Sequence, residues 1–160
     1  MIQRVQTIYF AIAALILIYF STGASILGFQ GNDLTYVLQS NQLIGSTQGN
    51  AGALVSSQYF FVGSIIAALW TIFVIISYRN LTKQLSFARV GSFIYLAFIA
   101  VIALTHFIAS SLAEDLTVTE HPVSYKFGFY LLILGYVSYL LGMRGIKKDK
   151  KLVDSVDRIR

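Results

Sequence analysis

The sequence predicts an all-α membrane protein: a four-transmembrane-helix bundle, both termini cytoplasmic, ending in a short cytoplasmic amphipathic helix. Three observations carry this. The 160-residue chain is 56% hydrophobic and 12% charged, with mean hydropathy +0.70, whereas soluble domains carry about 25% charged residues. Four stretches free of Asp, Glu, Lys and Arg reach the roughly 17 to 25 residues that a helix needs to cross a bilayer. The basic residues, finally, fall almost entirely on one side of the arrangement those stretches impose.

The first span, VQTIYFAIAALILIYFSTGASIL from Val5 to Leu27, follows Arg4 and ends in small residues. A secretory signal has a similar outline, but this apolar run exceeds the roughly 7 to 15 residues of a signal core, so it is read as an anchor. The outer loop over 28–58 is polar and nearly uncharged. Its LTYVLQ has strand character and its IGSTQGNAGA is Gly-rich and turn-forming, so a small hairpin-like cap or a flexible loop is expected. The second span, Tyr59 to Tyr78, is joined by an inner loop at 79–89 to the third, Val90 to Leu112. A second outer loop covers 113–126. The fourth span, Phe127 to Met143, lies between Lys126 and Arg144 and has just enough residues. Lys and Arg concentrate in short cytoplasmic loops. Of the 12 basic residues only Lys126 falls on the outer side, beside Asp33, Glu114, Asp115 and Glu120, which places both termini inside.

Within the spans, Gly128, Gly135 and Gly142 recur every seven residues, a repeat that drifts only about 20° per heptad on a helix and so forms one stripe. Gly63 and Ala67 make a small-xxx-small pair. Small residues let membrane helices approach closely. Both sets suit packing inside the bundle, with a partner helix as the open alternative. Ionisable groups at membrane depth mark functional sites by default, and His106 is such a group, about 9 Å from the outer end of its span. It shares a helix face with Ala103, Ala109 and Ser110. It is read either as a hydrogen-bonding residue between helices or as a proton relay or haem ligand. Haem would want a second axial ligand, yet His121, the other His, sits in the outer loop, and zinc needs more N, O or S ligands than one His supplies. With no Cys, disulfide frameworks, thiolate metal sites and CxxC redox pairs are excluded. Glu114, Asp115, Glu120 and His121 match no metal-loop spacing and read as a solvated acidic face. No catalytic residue, cofactor or metal site is expected.

The basic cytoplasmic tail, residues 144–160, holds seven basic and three acidic residues. Leu152, Val156 and Ile159 fall at i, i+4 and i+7, one helix face, and Asp154 and Arg158 form a favourable i, i+4 pair. Lys147, Lys148, Lys150, Lys151, Arg158 and Arg160 stand beside the inner leaflet, where each cation contributes about 1 kcal/mol with anionic lipid. The interspersed acids and the apolar stripe point rather to a protein partner. Contact with anionic lipid or ribosomal RNA stays open, and DNA is not expected.

The two ends, MIQRVQTIY at Met1 to Tyr9 and RGIKKDKKLVDSVDRIR at Arg144 to Arg160, resemble a family of small bacterial four-span membrane proteins known only as a domain of unknown function. In the tail the resemblance rests on Lys147, Lys148, Asp149, Leu152, Val153, Ser155, Asp157, Arg158, Ile159 and Arg160. It implies a four-helix protein of the bacterial inner membrane and supplies no activity. The function expected is that of a non-enzymatic accessory or assembly subunit of a larger inner-membrane complex, whose partners are the lipid bilayer and other membrane proteins. The alternative is a small transporter or channel using His106.

Overall fold

The computed structural model describes residues 3–30, 34–47, 50–56, 58–115 and 124–157. The molecule is mostly helical: α1 (Gln3–Ser21), α2 (Gln58–Ile76), α3 (Leu81–Asp115) and α4 (Phe127–Asp157). Among the described residues, three helices are long and apolar enough to cross a membrane, over Gln58–Arg79, Leu81–Thr105 and Phe127–Ser155, and Val5–Ser21 of α1 is a shorter apolar helix. Many β-branched residues sit in these segments, but hydrocarbon offers the backbone no other hydrogen-bond partner, so the helix prevails over propensity.

The helices close into a ring in which α1 packs against α2 and α4, and α3 packs against the same two. Phe10, Leu17, Phe20, Val74, Tyr95, Ile102, Leu132, Tyr139 and Ile146 fill its interior. Large apolar side chains also stand outward on every helix, among them Leu15, Leu69, Phe93, Leu104 and Leu134. A continuous apolar exterior of this kind suits lipid rather than water.

Helix ends depart from the expected boundaries for local reasons. The first helix stops at Ser21 rather than Leu27. Ser21 and Thr22 turn their hydroxyls onto the carbonyls of Ile18 and Tyr19, and Gly23 follows with φ of 105°, the left-handed conformation that ends helices at little cost only for glycine. The inner loop expected at 79–89 is almost absent. A single 3-10 turn, Ser77–Arg79, leads to Asn80, whose side-chain Oδ1 accepts from the Lys83 amide at 3.2 Å and so caps the start of α3. The tail is no separate helix either: α4 runs through position 144 without a break as far as Asp157.

The purely α description is incomplete as well. Residues expected as a hairpin-like cap or flexible loop form β1 (Ser25–Gln30), β2 (Leu34–Gln39), β3 (Gln42–Thr47) and β4 (Asn50–Ser56). With β5 (Ser124–Tyr125) they make one antiparallel sheet in the order β4-β3-β2-β1-β5. The LTYVLQ stretch is β2, as its composition suggests. The sheet stands at the end of the bundle where α1 stops and α4 starts, joined there by pairing of Leu27 with Tyr125 and by the Lys126 amide on the Ile26 carbonyl at 2.9 Å.

Candidate functional site

The glycine stripe leads to the most organised part of the molecule. It faces α1 and α3. A Cβ on Gly128 would lie 2.5 Å from the Ser25 carbonyl oxygen, and one on Gly142 would lie 2.9 Å from the Phe10 ring. At Gly135 it would run into the Tyr95 hydroxyl and come within 3.1 Å of Ile16. These approaches leave no room for a side chain, so the stripe packs within the monomer. The same holds for Gly63, where a Cβ would meet Phe98 at 2.9 Å, and for buried Ala67. Between the glycines, at the other positions of the same seven-residue repeat, Leu132, Tyr139 and Ile146 are completely buried.

Taken one step further, the repeat arrives at Asp149. This carboxylate is 7% exposed. It accepts a hydrogen bond from the side-chain amide of Gln6, itself buried, across the α1–α4 contact. Gly145 makes room for the Gln6 side chain, where a Cβ would stand 2.7 Å from Cγ. The second carboxylate oxygen, Oδ1, is buried without a hydrogen-bond partner. A second buried amide lies at the same end of the bundle, where Gln84 of α3 donates to the Val74 carbonyl at 3.2 Å.

Nearer the middle, α3 and α4 interlock reciprocally. Tyr95 of α3 presses its hydroxyl onto Gly135 of α4, and Tyr139 of α4 presses its own onto Gly91 of α3. Each tyrosine follows a glycine of its own helix by four residues, so the two antiparallel helices present the same Gly-xxx-Tyr unit to one another. Ser92 and Tyr136, each one residue past those glycines, meet at 3.4 Å. Phe10 of α1 closes on Tyr139 edge to face, with ring centroids 4.9 Å apart. Both tyrosine hydroxyls are buried without hydrogen-bond partners.

The tail residues divide. Lys147, Lys148, Lys151 and Leu152 are exposed on α4, and Lys150 is half-buried. The side chain of Val156 and all of Arg158, Ile159 and Arg160 lie outside the described residues, as do the acidic-loop residues Glu120 and His121. His106 belongs to α3, but its side chain is not among those described. Asp149, Gln6, Gly91, Tyr95 and Tyr139 are missed by sequence reasoning. The signals for them are there: Asp149 extends the glycine heptad, and the two Gly-xxx-Tyr units share one spacing. Among the described residues, no three His, Cys, Asp or Glu side chains come together as a metal set.

A search of curated proteins finds no match to the chain. One family's sequence profile covers residues 2–159, from the N-terminal signature through the sheet and bundle into the tail. On that coverage the chain belongs to the family described as Domain of unknown function (DUF4293).

Proposed function

We propose that the protein is a non-enzymatic accessory or assembly subunit of a larger bacterial inner-membrane complex. It crosses the membrane four times, with the sheet outside and both termini in the cytoplasm. An open sheet edge is not tolerated in hydrocarbon, and the sheet sits at the end opposite the basic tail, in keeping with the charge asymmetry. The observation that carries the reading is the overhang of α4. Gln6 near the start of α1 meets Asp149, so α4 draws level with Gln3, where α1 begins, at Leu152 and continues past it to Asp157. There Leu152 and Val153 are 47% and 49% exposed. Apolar side chains held at the end of the bundle on a rigid helix suit a protein groove.

The test replaces Leu152, Val156 and Ile159 by Ser, which keeps the charge and removes up to about 1.5 to 3 kcal/mol of burial per large side chain. Purified in mild detergent, the variant is expected to remain in the membrane fraction while losing the proteins that co-elute stoichiometrically with the wild type. Unchanged co-elution would refute the reading.

A further inference from the structure

The outer face of α4 carries a second seven-residue pattern, opposite the glycine seam. Tyr130, Leu134, Val137 and Leu141 are exposed along one ridge. At the next three steps of the same spacing stand Arg144, Lys148 and Lys151, all exposed, with Lys147 alongside. The ridge therefore changes from apolar to cationic between Leu141 and Arg144 with no change of face. From Lys126 to Arg144 the helix rises about 27 Å at 1.5 Å per residue, close to the roughly 30 Å of a bilayer's hydrocarbon core. Lys148 lies about 6 Å farther along, still within a headgroup layer of roughly 5 to 7 Å per leaflet. Leu152 falls past that layer.

We propose that Arg144, Lys147 and Lys148 form a binding surface for the phosphates of anionic phospholipids, whose acyl chains lie along Leu134, Val137 and Leu141. Lipid is the occupant because the cations continue a ridge that already faces acyl chains, at the depth where phosphates sit. A groove in a protein or an RNA duplex would have to displace lipid from that same ridge. The azimuth of these cations is set from the other side of the helix. Ile146 and Asp149 are buried and the Gln6–Asp149 hydrogen bond fixes the rotation of α4, which turns Arg144 and Lys148 outward. The surface rests on α4 crossing a membrane and is independent of what binds Leu152 beyond it. Protein partners and lipids thus take different stretches of one helix.

The test uses the full chain in nanodiscs of phosphatidylcholine alone or with one-third phosphatidylglycerol, and native mass spectrometry of the detergent-purified protein. The wild type is expected to retain phosphatidylglycerol in preference to phosphatidylcholine. The triple variant Arg144→Gln, Lys147→Gln, Lys148→Gln should lose at least about tenfold of that retention, with an unchanged melting temperature in phosphatidylcholine. Equal retention by wild type and variant, no preference for phosphatidylglycerol in the wild type, or loss of bound RNA instead of lipid would each overturn the proposal. If the triple variant does not insert, the wild type decides alone: a melting temperature that rises by several degrees on adding phosphatidylglycerol supports the surface, and an unmoved one removes it. Loss of lipid preference with protein co-elution intact would leave the accessory-subunit reading untouched.

Discussion

Two buried tyrosine hydroxyls without partners give a sharp contrast with the glycines they rest on. An unsatisfied buried hydroxyl costs roughly 1 to 3 kcal/mol in desolvation, so Tyr139→Phe and Tyr95→Phe are expected to leave stability unchanged or raise it, by about 1 kcal/mol in the simplest case. Gly142→Ala should do the reverse. Its Cβ would stand 2.9 Å from a Phe10 ring that has nowhere to go, and overpacking costs about 1 to 3 kcal/mol, more than the roughly 0.8 to 1 kcal/mol of helix propensity that alanine gains over glycine. Melting curves in a single detergent compare all three; a destabilised Tyr139→Phe would mean that its hydroxyl is bonded after all. At this scale the sequence was readable where a period marks it. The stripe Gly128, Gly135, Gly142 stands out from spacing alone, whereas its partners Ser25, Ile16 and Phe10 are more than 100 positions away and leave no local trace. Asp149 was hidden by its charge, which assigns it to water although the heptad assigns it to the seam.

At the scale of elements, the fourth helix joins what hydropathy separates into a span and a tail. A hydropathy reading ends where Arg144 appears, but a charged ridge does not stop a helix whose opposite face is still buried by Ile146 and Asp149. The chain contains no Cys, so introduced pairs report cleanly on this contact. Gln6→Cys with Asp149→Cys is expected to form an intramolecular disulfide on mild oxidation, while Gln6→Cys with Lys151→Cys, on the far side of α4, stays reduced. Gel mobility distinguishes them, and equal linking of both pairs would indicate a loose tail instead of a docked one. The sheet was legible only at LTYVLQ. Strands β3 and β4 are rich in Gly, Ser, Asn and Gln, weak strand formers individually, and their stability comes from pairing across the sheet.

For the whole molecule, the proposed orientation rests on the sheet standing at one end of the bundle and the basic tail at the other. A cysteine at Ser124, exposed at the sheet end, is expected to react with an impermeant thiol reagent in cells whose outer membrane has been opened. A cysteine at Thr82, exposed at the other end, should react only after lysis; the opposite pattern would invert the proposed topology. The neighbouring Gln84 would be a poor reporter, since it is buried whichever way the protein faces.

One consequence of the unbroken fourth helix concerns motion. Its 31 residues make a rod about 46 Å long, and the glycines that would soften a lone helix are pressed against the start of β1 at Gly128, Tyr95 and α1 at Gly135, and α1 at Gly142 and Gly145. Its first turn is hydrogen-bonded through Lys126 to β1. A load applied near Leu152 therefore meets no hinge along the way. It would be passed as tilt or rotation of the entire rod about its contacts with α1 and α3, toward the sheet to which Lys126 ties its first turn.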